Sequence, residues 1–246
     1  MTFIPYYDDI KEALGKPGCA FCRLRDKTTY SYVDALLFEL VNDPESRELF
    51  NKARGYCNRH MDLLLQEGHA LGATILMNGL LKKIRRIVAA HPALKDEPTQ
   101  LNKLLNQVKL GNREALKAAA AELGPQIRCP VCTQEETLDK FYTQTLLKHF
   151  TGPHALAQDF EQSDGLCIPH LRLVLSHAVP GDTIRQLLTM QEAVWDTLAA
   201  ELEGFIQKSD HMYKGPPIHP EEAIARIKAM SLMAGLTLYT KEKEKR

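Results

Sequence analysis

Apolar residues recur every three or four positions along most of this chain, and the strict alternation of a half-buried strand is missing. Tyr30, Val33, Leu36, Leu37 and Leu40 make one such stripe, and Leu138, Phe141, Tyr142, Thr145, Leu146 and Phe150 make another. Longer helices are predicted from about residue 71 to 90 and from about 183 to 206. The first presents Ile75, Leu76, Leu80, Ile84 and Ile87; the second presents Ile184, Leu187, Leu188, Val194, Trp195, Leu198 and Leu202. Stripes of this kind face a core, and the two long helices are expected to pack the halves of the chain together.

Turn and cap residues divide the stripes. Asp43-Pro44-Glu45 reads as N-cap, first-turn proline and first-turn acid of a short helix ending near Gly55, and Gly152-Pro153 precedes its counterpart before Gly165. Asp182 is the expected N-cap of the second long helix. HPALKDEPTQ, residues 91–100, reads as a linker, and a helical pair follows, TQLNKLLNQVKLG and NREALKAAAAELG, closed by Gly124-Pro125. KSDHMYKGPPIHPEE reads as a second linker, after which His219-Pro220-Glu221-Glu222 opens a last helix to about Tyr239 and the tail KEKEKR is solvated.

The cysteines change the picture from helical protein to duplicated metal-binding protein. Cys19-x-x-Cys22 and Cys57-x-x-His60 are followed, 110 positions later in every case, by Cys129-x-x-Cys132 and Cys167-x-x-His170. In the same register Tyr32, Leu36, Leu37, Phe50, Gly55, Leu63 and Leu65 meet identical residues at 142, 146, 147, 160, 165, 173 and 175. Apolar positions and ligands are shared while the remainder has drifted, as expected of one small fold present twice.

A Cys-x-x-Cys pair on a tight turn offers two thiolates to one ion, and a second pair from a distant segment completes a Cys3His tetrahedron. Each second pair follows a glycine, in GYCNRH and GLCIPH, and leads into an apolar run, so Cys and His would occupy the first turn of a helix whose positive end favours thiolate. Two zinc ions are the expected cofactors, with Cys19, Cys22, Cys57 and His60 for one and Cys129, Cys132, Cys167 and His170 for the other. Each ion is expected within its own copy; pairing of Cys19 and Cys22 with Cys167 and His170 is the exchanged alternative. An iron-sulfur cluster is the alternative cofactor. Four protein ligands per ion leave no open position, so the sites read as structural rather than hydrolytic.

Composition narrows the rest. The 246 residues carry 31 Lys and Arg against 31 Asp and Glu, which removes a whole-chain attraction to nucleic acid or anionic membrane. The start MTFIPYYDDIKEALG lacks the basic and long apolar regions of a secretory signal, and no stretch approaches a membrane span. A cytoplasmic, reducing setting is expected, in which clustered cysteines hold metal rather than form disulfides. Lys82, Lys83, Arg85 and Arg86 make a basic cluster that could meet phosphate, although a solvated helix face explains it more simply. His149 and His177 face Glu39 and Glu67 in the duplicated register and are expected at the surface or at helix caps. No phosphate loop, nucleophile elbow, HExxH or CxxCH motif occurs, so no catalytic residue is assigned and a non-enzymatic role is favoured.

At CAFC with GYCNRH and CPVC with GLCIPH, the chain resembles a bacterial domain family of unknown function with CPxC followed by GxCxxH. The resemblance covers chiefly residues 15–70 and 125–180. It implies a bacterial, cytoplasmic setting and metal ligation by the eight residues named above, and it implies no activity. Ala20 stands where the family places proline, which alters turn rigidity rather than ligation.

The expected fold is therefore all-α: two pseudo-repeated helical units over 1–90 and 125–210, each with a Cys3His site, a linker and helical pair over 91–124, and a linker, helix and charged tail over 211–246. The expected function is a zinc-binding adaptor that recruits a protein partner, with self-association through Ile224, Ile227, Met230 and Met233 of the last helix. A redox or metal sensor and nucleic-acid binding through the basic cluster are the alternatives.

Overall fold

In a computed structural model of the chain, residues 4–90 and 108–235 are described. The linker at 91–100, most of the first member of the helical pair and the KEKEKR tail lie outside them. The chain is helical, with no strand among the described residues. Its first helix, α1 (Tyr7–Leu14), was not announced by the stripes: only Ile10, Ala13 and Leu14 are buried, too few apolar positions to stand out.

Helix α2 (Ala20–Phe38) buries Val33, Leu36 and Leu37 of the first stripe, while Tyr30 is exposed and Leu40, also exposed, lies beyond its end; α3 (Pro44–Lys52) is capped by Asp43, whose carboxylate accepts the Ser46 N–H at 2.7 Å. The short α4 (Asn58–Met61) runs into a 3₁₀ turn over Asp62–Leu65, and α5 (Ala70–Ala90) follows. Helix α6 (Val108–Leu123) passes without a break through Gly111, where the helical pair was expected to divide. Then come α7 (Pro130–Lys148), α8 (Ala157–Glu161), α9 (Ile168–His177), α10 (Asp182–Lys208) and α11 (Pro220–Ala234). Gly181 rather than Asp182 is the N-cap of α10. At α11 the sequence expectation is met: His219 is the N-cap, and its N–H donates to the Glu222 carboxylate at 2.7 Å.

The duplicated register holds in the backbone. Helices α2 and α7 begin and end 110 positions apart, as do the starts of α4 and α9. Gly55 and Gly165 both take left-handed backbone, φ 91° and 70°, which favours glycine and turns the chain into the following Cys-x-x-His. The copies differ after that point: α9 continues through ten residues, whereas α4 yields to the 3₁₀ turn, leaving Leu65 83% exposed.

The compact units of structure do not follow the copies of sequence. Unit 1 comprises Met1–Thr28 and Glu136–Arg246; unit 2 comprises Thr29–Glu135. Helices α2 and α7 each begin in one unit and end in the other. In unit 1, α11 packs on α9 and α10, and α8 on α1 and α10, around Phe21, Tyr142, Leu146, Phe150, Phe160 and Leu187. In unit 2, α3 and α6 pack on α5, around Val33, Leu36, Leu37, Phe50, Leu76 and Leu80.

Phe150 and Phe160 are wholly buried and meet edge to face, centroids 5.5 Å apart at 72°. Phe160→Ala removes that contact and leaves a cavity, with an expected loss of about 3–5 kcal/mol. Urea unfolding of the purified variant checks this.

Candidate metal centres

Both Cys-x-x-Cys pairs sit at the start of a long helix. Cys19 directly precedes α2 and Cys22 lies in its first turn; Cys129 and Cys132 stand in the same relation to α7. Cys57 and Cys167 are the N-caps of α4 and α9, in near-identical extended conformations, φ −65°, ψ 163° and φ −69°, ψ 159°. His60 and His170 follow within the first helical turn. Thiolate sulfurs at helix starts face the positive end of the peptide dipoles.

The structure brings these eight residues into two clusters, and the partition is the exchanged one. Cys19 and Cys22 meet Cys167 and His170 in unit 1; Cys129 and Cys132 meet Cys57 and His60 in unit 2. The expectation of one site within each copy is thereby corrected, and the reason is helix length. Nineteen-residue α2 carries the chain about 28 Å from Cys19 and nine-residue α3 spans about 13 Å, so the chain does not return to its own Cys-x-x-Cys.

The donor atoms have the spacing of a single tetrahedral ion. In unit 1 the sulfurs of Cys19, Cys22 and Cys167 lie 3.5, 3.3 and 3.1 Å from His170 Nδ1, and those of Cys22 and Cys167 lie 3.5 Å apart. In unit 2 the sulfurs of Cys57, Cys129 and Cys132 lie 3.4, 3.5 and 3.4 Å from His60 Nδ1, and those of Cys57 and Cys132 lie 3.7 Å apart. Tetrahedral zinc with ordinary bond lengths would set sulfur to sulfur at about 3.8 Å and sulfur to nitrogen at about 3.5 Å. All six cysteines are free thiols. The donor set fits a metal ion such as zinc in both units.

Behind each histidine stands a carboxylate that the duplicated register does not reveal. Glu135, 6% exposed, holds His60 Nε2 at 3.0 Å, accepts from the Thr29 hydroxyl at 3.1 Å and pairs with Arg59. Asp139, one turn further along α7, lies 3.4 Å from His170 Nε2, a longer approach. A carboxylate on the outer ring nitrogen directs the inner nitrogen at the ion. Both acids come from α7; the equivalent positions of α2 are Arg25 and Thr29.

The protons of the clusters reflect their crowding. Burial pushes the Cys19 thiol up, but Cys167, Cys22 and His170 outweigh it and hold Cys19 well below the ordinary thiol range. Cys22 is pushed up, chiefly by its contacts with Cys167 and Cys19. In unit 2 burial opposes the His60 backbone N–H, Cys132, Cys129 and Arg59, which together lower Cys57, while burial and Cys57 push Cys132 up to about 12. Burial disfavours a charged His170, yet Asp139, Cys167 and Cys19 raise it to about 12. Three sulfurs this close hold protons among them unless a cation replaces those protons.

The other sequence candidates lie apart from these clusters. Lys82, Arg85 and Arg86 are exposed on α5 and Lys83 is half-buried. His177 caps the end of α9 on the Leu173 carbonyl at 3.0 Å, and half-buried His149 meets the Tyr7 ring edge. His69, which no motif marks, is 1% exposed between the Leu63 carbonyl at 2.8 Å and Asp34 at 3.1 Å. No helix among the described residues is long and apolar enough to cross a membrane.

Comparison with known families matches residues 1–235 to DUF6062, a family of unknown function. The chain belongs to that family. The DUF6062 match spans both cysteine-histidine clusters and attaches no activity to them. No curated protein and no solved structure matches the chain.

Glu135→Ala is expected to weaken metal binding at the unit 2 cluster about 10–100-fold and to leave unit 1 unchanged. Competition against a chromogenic chelator, with cysteine protection mapped by mass spectrometry, checks this.

Proposed function

We propose that this member of DUF6062 is a zinc-binding helical scaffold with two structural Cys3His centres, and that it acts by presenting helical surfaces to a protein partner rather than by catalysis. The observation that carries the reading is the donor spacing: within each cluster all four ligand atoms lie within 4.8 Å of one another, room for one ion. An iron-sulfur cluster holds its ligand sulfurs further apart, around a core of several atoms. Four protein donors close the coordination shell, which is the arrangement of a structural ion. Free thiols throughout accord with a reducing, cytoplasmic setting.

Each ion would join segments far apart in sequence, so metal binding and folding are one process. The adaptor reading draws support from α11, where Met230 and Met233 are 58% and 53% exposed and Ile224 and Ile227 are half-buried. That face suits a helical partner or a second copy of the chain.

Elemental analysis of protein purified anaerobically without a metal-affinity tag, with a visible spectrum and sedimentation of the same sample, tests this function. Two zinc per chain, no colour, and a sharp drop in melting temperature on chelation are expected. Association beyond the monomer is expected in sedimentation. Iron with acid-labile sulfide, or a folded protein without metal, would contradict the reading.

A further inference from the structure

The two clusters are alike in ligands and unlike in access. In unit 1 every ligand is buried: Cys19, Cys22, Cys167 and His170 are 7, 2, 0 and 2% exposed. In unit 2 His60 and Cys129 are buried, but Cys57 and Cys132 are only partly buried, and their sulfurs are 3.7 Å apart.

The end of α11 lies beside the unit 1 cluster. Its C-cap, Gly235, takes φ 68°, and a β-carbon there would stand 3.3 Å from the Pro169 ring, 3.4 Å from Cys167 Sγ and 3.7 Å from Cys22 Sγ. The backbone of this turn therefore lies directly on two of the unit 1 sulfurs. Arg25 Nη2 reaches the Gly235 carbonyl at 3.5 Å, and Ser231 and Leu232 before it are buried. Cys57 and Cys132 pack against the unit 2 core and stay only partly buried.

Building on the reading of both clusters as zinc centres, we propose that they differ in lability. The unit 2 centre exchanges its ion with thiol ligands in solution through the Cys57 and Cys132 edge, while the turn at Gly235 seals the unit 1 centre. In the exchange step an external thiolate sulfur bonds to the ion, the bond from Cys57 or Cys132 breaks, and the freed thiolate takes a proton from water. The ion keeps its charge and no electron moves. The site thus accepts a soft divalent cation from a small thiolate carrier, or yields one to it, without unfolding of unit 1.

The test is a chelator chase on the full chain loaded with zinc, using 4-(2-pyridylazo)resorcinol, with total zinc measured after denaturation in the same run. Two equivalents in total, one released on the order of tenfold or more faster than the other, are expected. Iodoacetamide added after the fast phase should modify Cys57 and Cys132 and spare Cys19, Cys22 and Cys167. Gly235→Val should speed the slow phase and leave the fast one unchanged. Two equivalents released at a single rate, or modification of the unit 1 cysteines first, would overturn the proposal, as would a slow phase indifferent to Gly235→Val. Fewer than two equivalents in total would instead overturn the zinc reading on which the proposal rests.

Discussion

The constraint on which this architecture depends is the stiffness of a nineteen-residue helix placed between two halves of a ligand set. Helix α2 lies along the chain between Cys19 and Cys57, and α7 lies between Cys129 and Cys167 in the same way. In the structure each Cys-x-x-Cys pair of one copy meets the Cys-x-x-His pair of the other. The duplication is therefore an interdependence rather than a pair of tandem domains. The segment 29–135 contains all four unit 2 ligands and is inserted between the two stretches that form unit 1. Between outermost ligands the unit 1 cluster closes a span of 151 residues from Cys19 to His170, the unit 2 cluster one of 75 from Cys57 to Cys132. Doubling a closed loop costs only about 0.6 kcal/mol, so the long span is no obstacle.

Equal ligands have been given unequal surroundings. One helix, α7, supplies the acid behind both histidines, while α2 supplies Thr29, which donates to Glu135. The cover over unit 1 comes from α11, a helix added after the second copy. The donors repeat at the 110-residue offset, whereas the acids behind the histidines and the cover at Gly235 do not.

Much of this was legible in the chain. The 110-residue offset marked the eight residues that the structure gathers into two clusters, the Asp43 and His219 caps placed α3 and α11, and the apolar stripes placed α5 and α10 within a residue or two. The partition was not legible in the stripes, because the one from Tyr30 to Leu40 covers eleven residues and does not reveal that α2 already starts at Ala20. Spacing along the chain suggested proximity, whereas rigidity decided against it. Glu135 and Asp139 are not legible in the repeated register, because the equivalent positions hold different residues, Arg25 and Thr29. Helix α1 was missed because three buried residues make too weak a stripe. His69 was missed because its burial depends on Asp34 and Leu63, contacts made only in the folded chain.

The central claim is that each centre draws one pair of ligands from each copy, and through-bond coupling tests it most directly. With zinc replaced by an NMR-active cadmium isotope, each metal signal correlates with the β-protons of the cysteines bound to it. One signal should correlate with Cys19, Cys22 and Cys167, the other with Cys57, Cys129 and Cys132. Correlation of a single signal with Cys19, Cys22 and Cys57 would contradict the account.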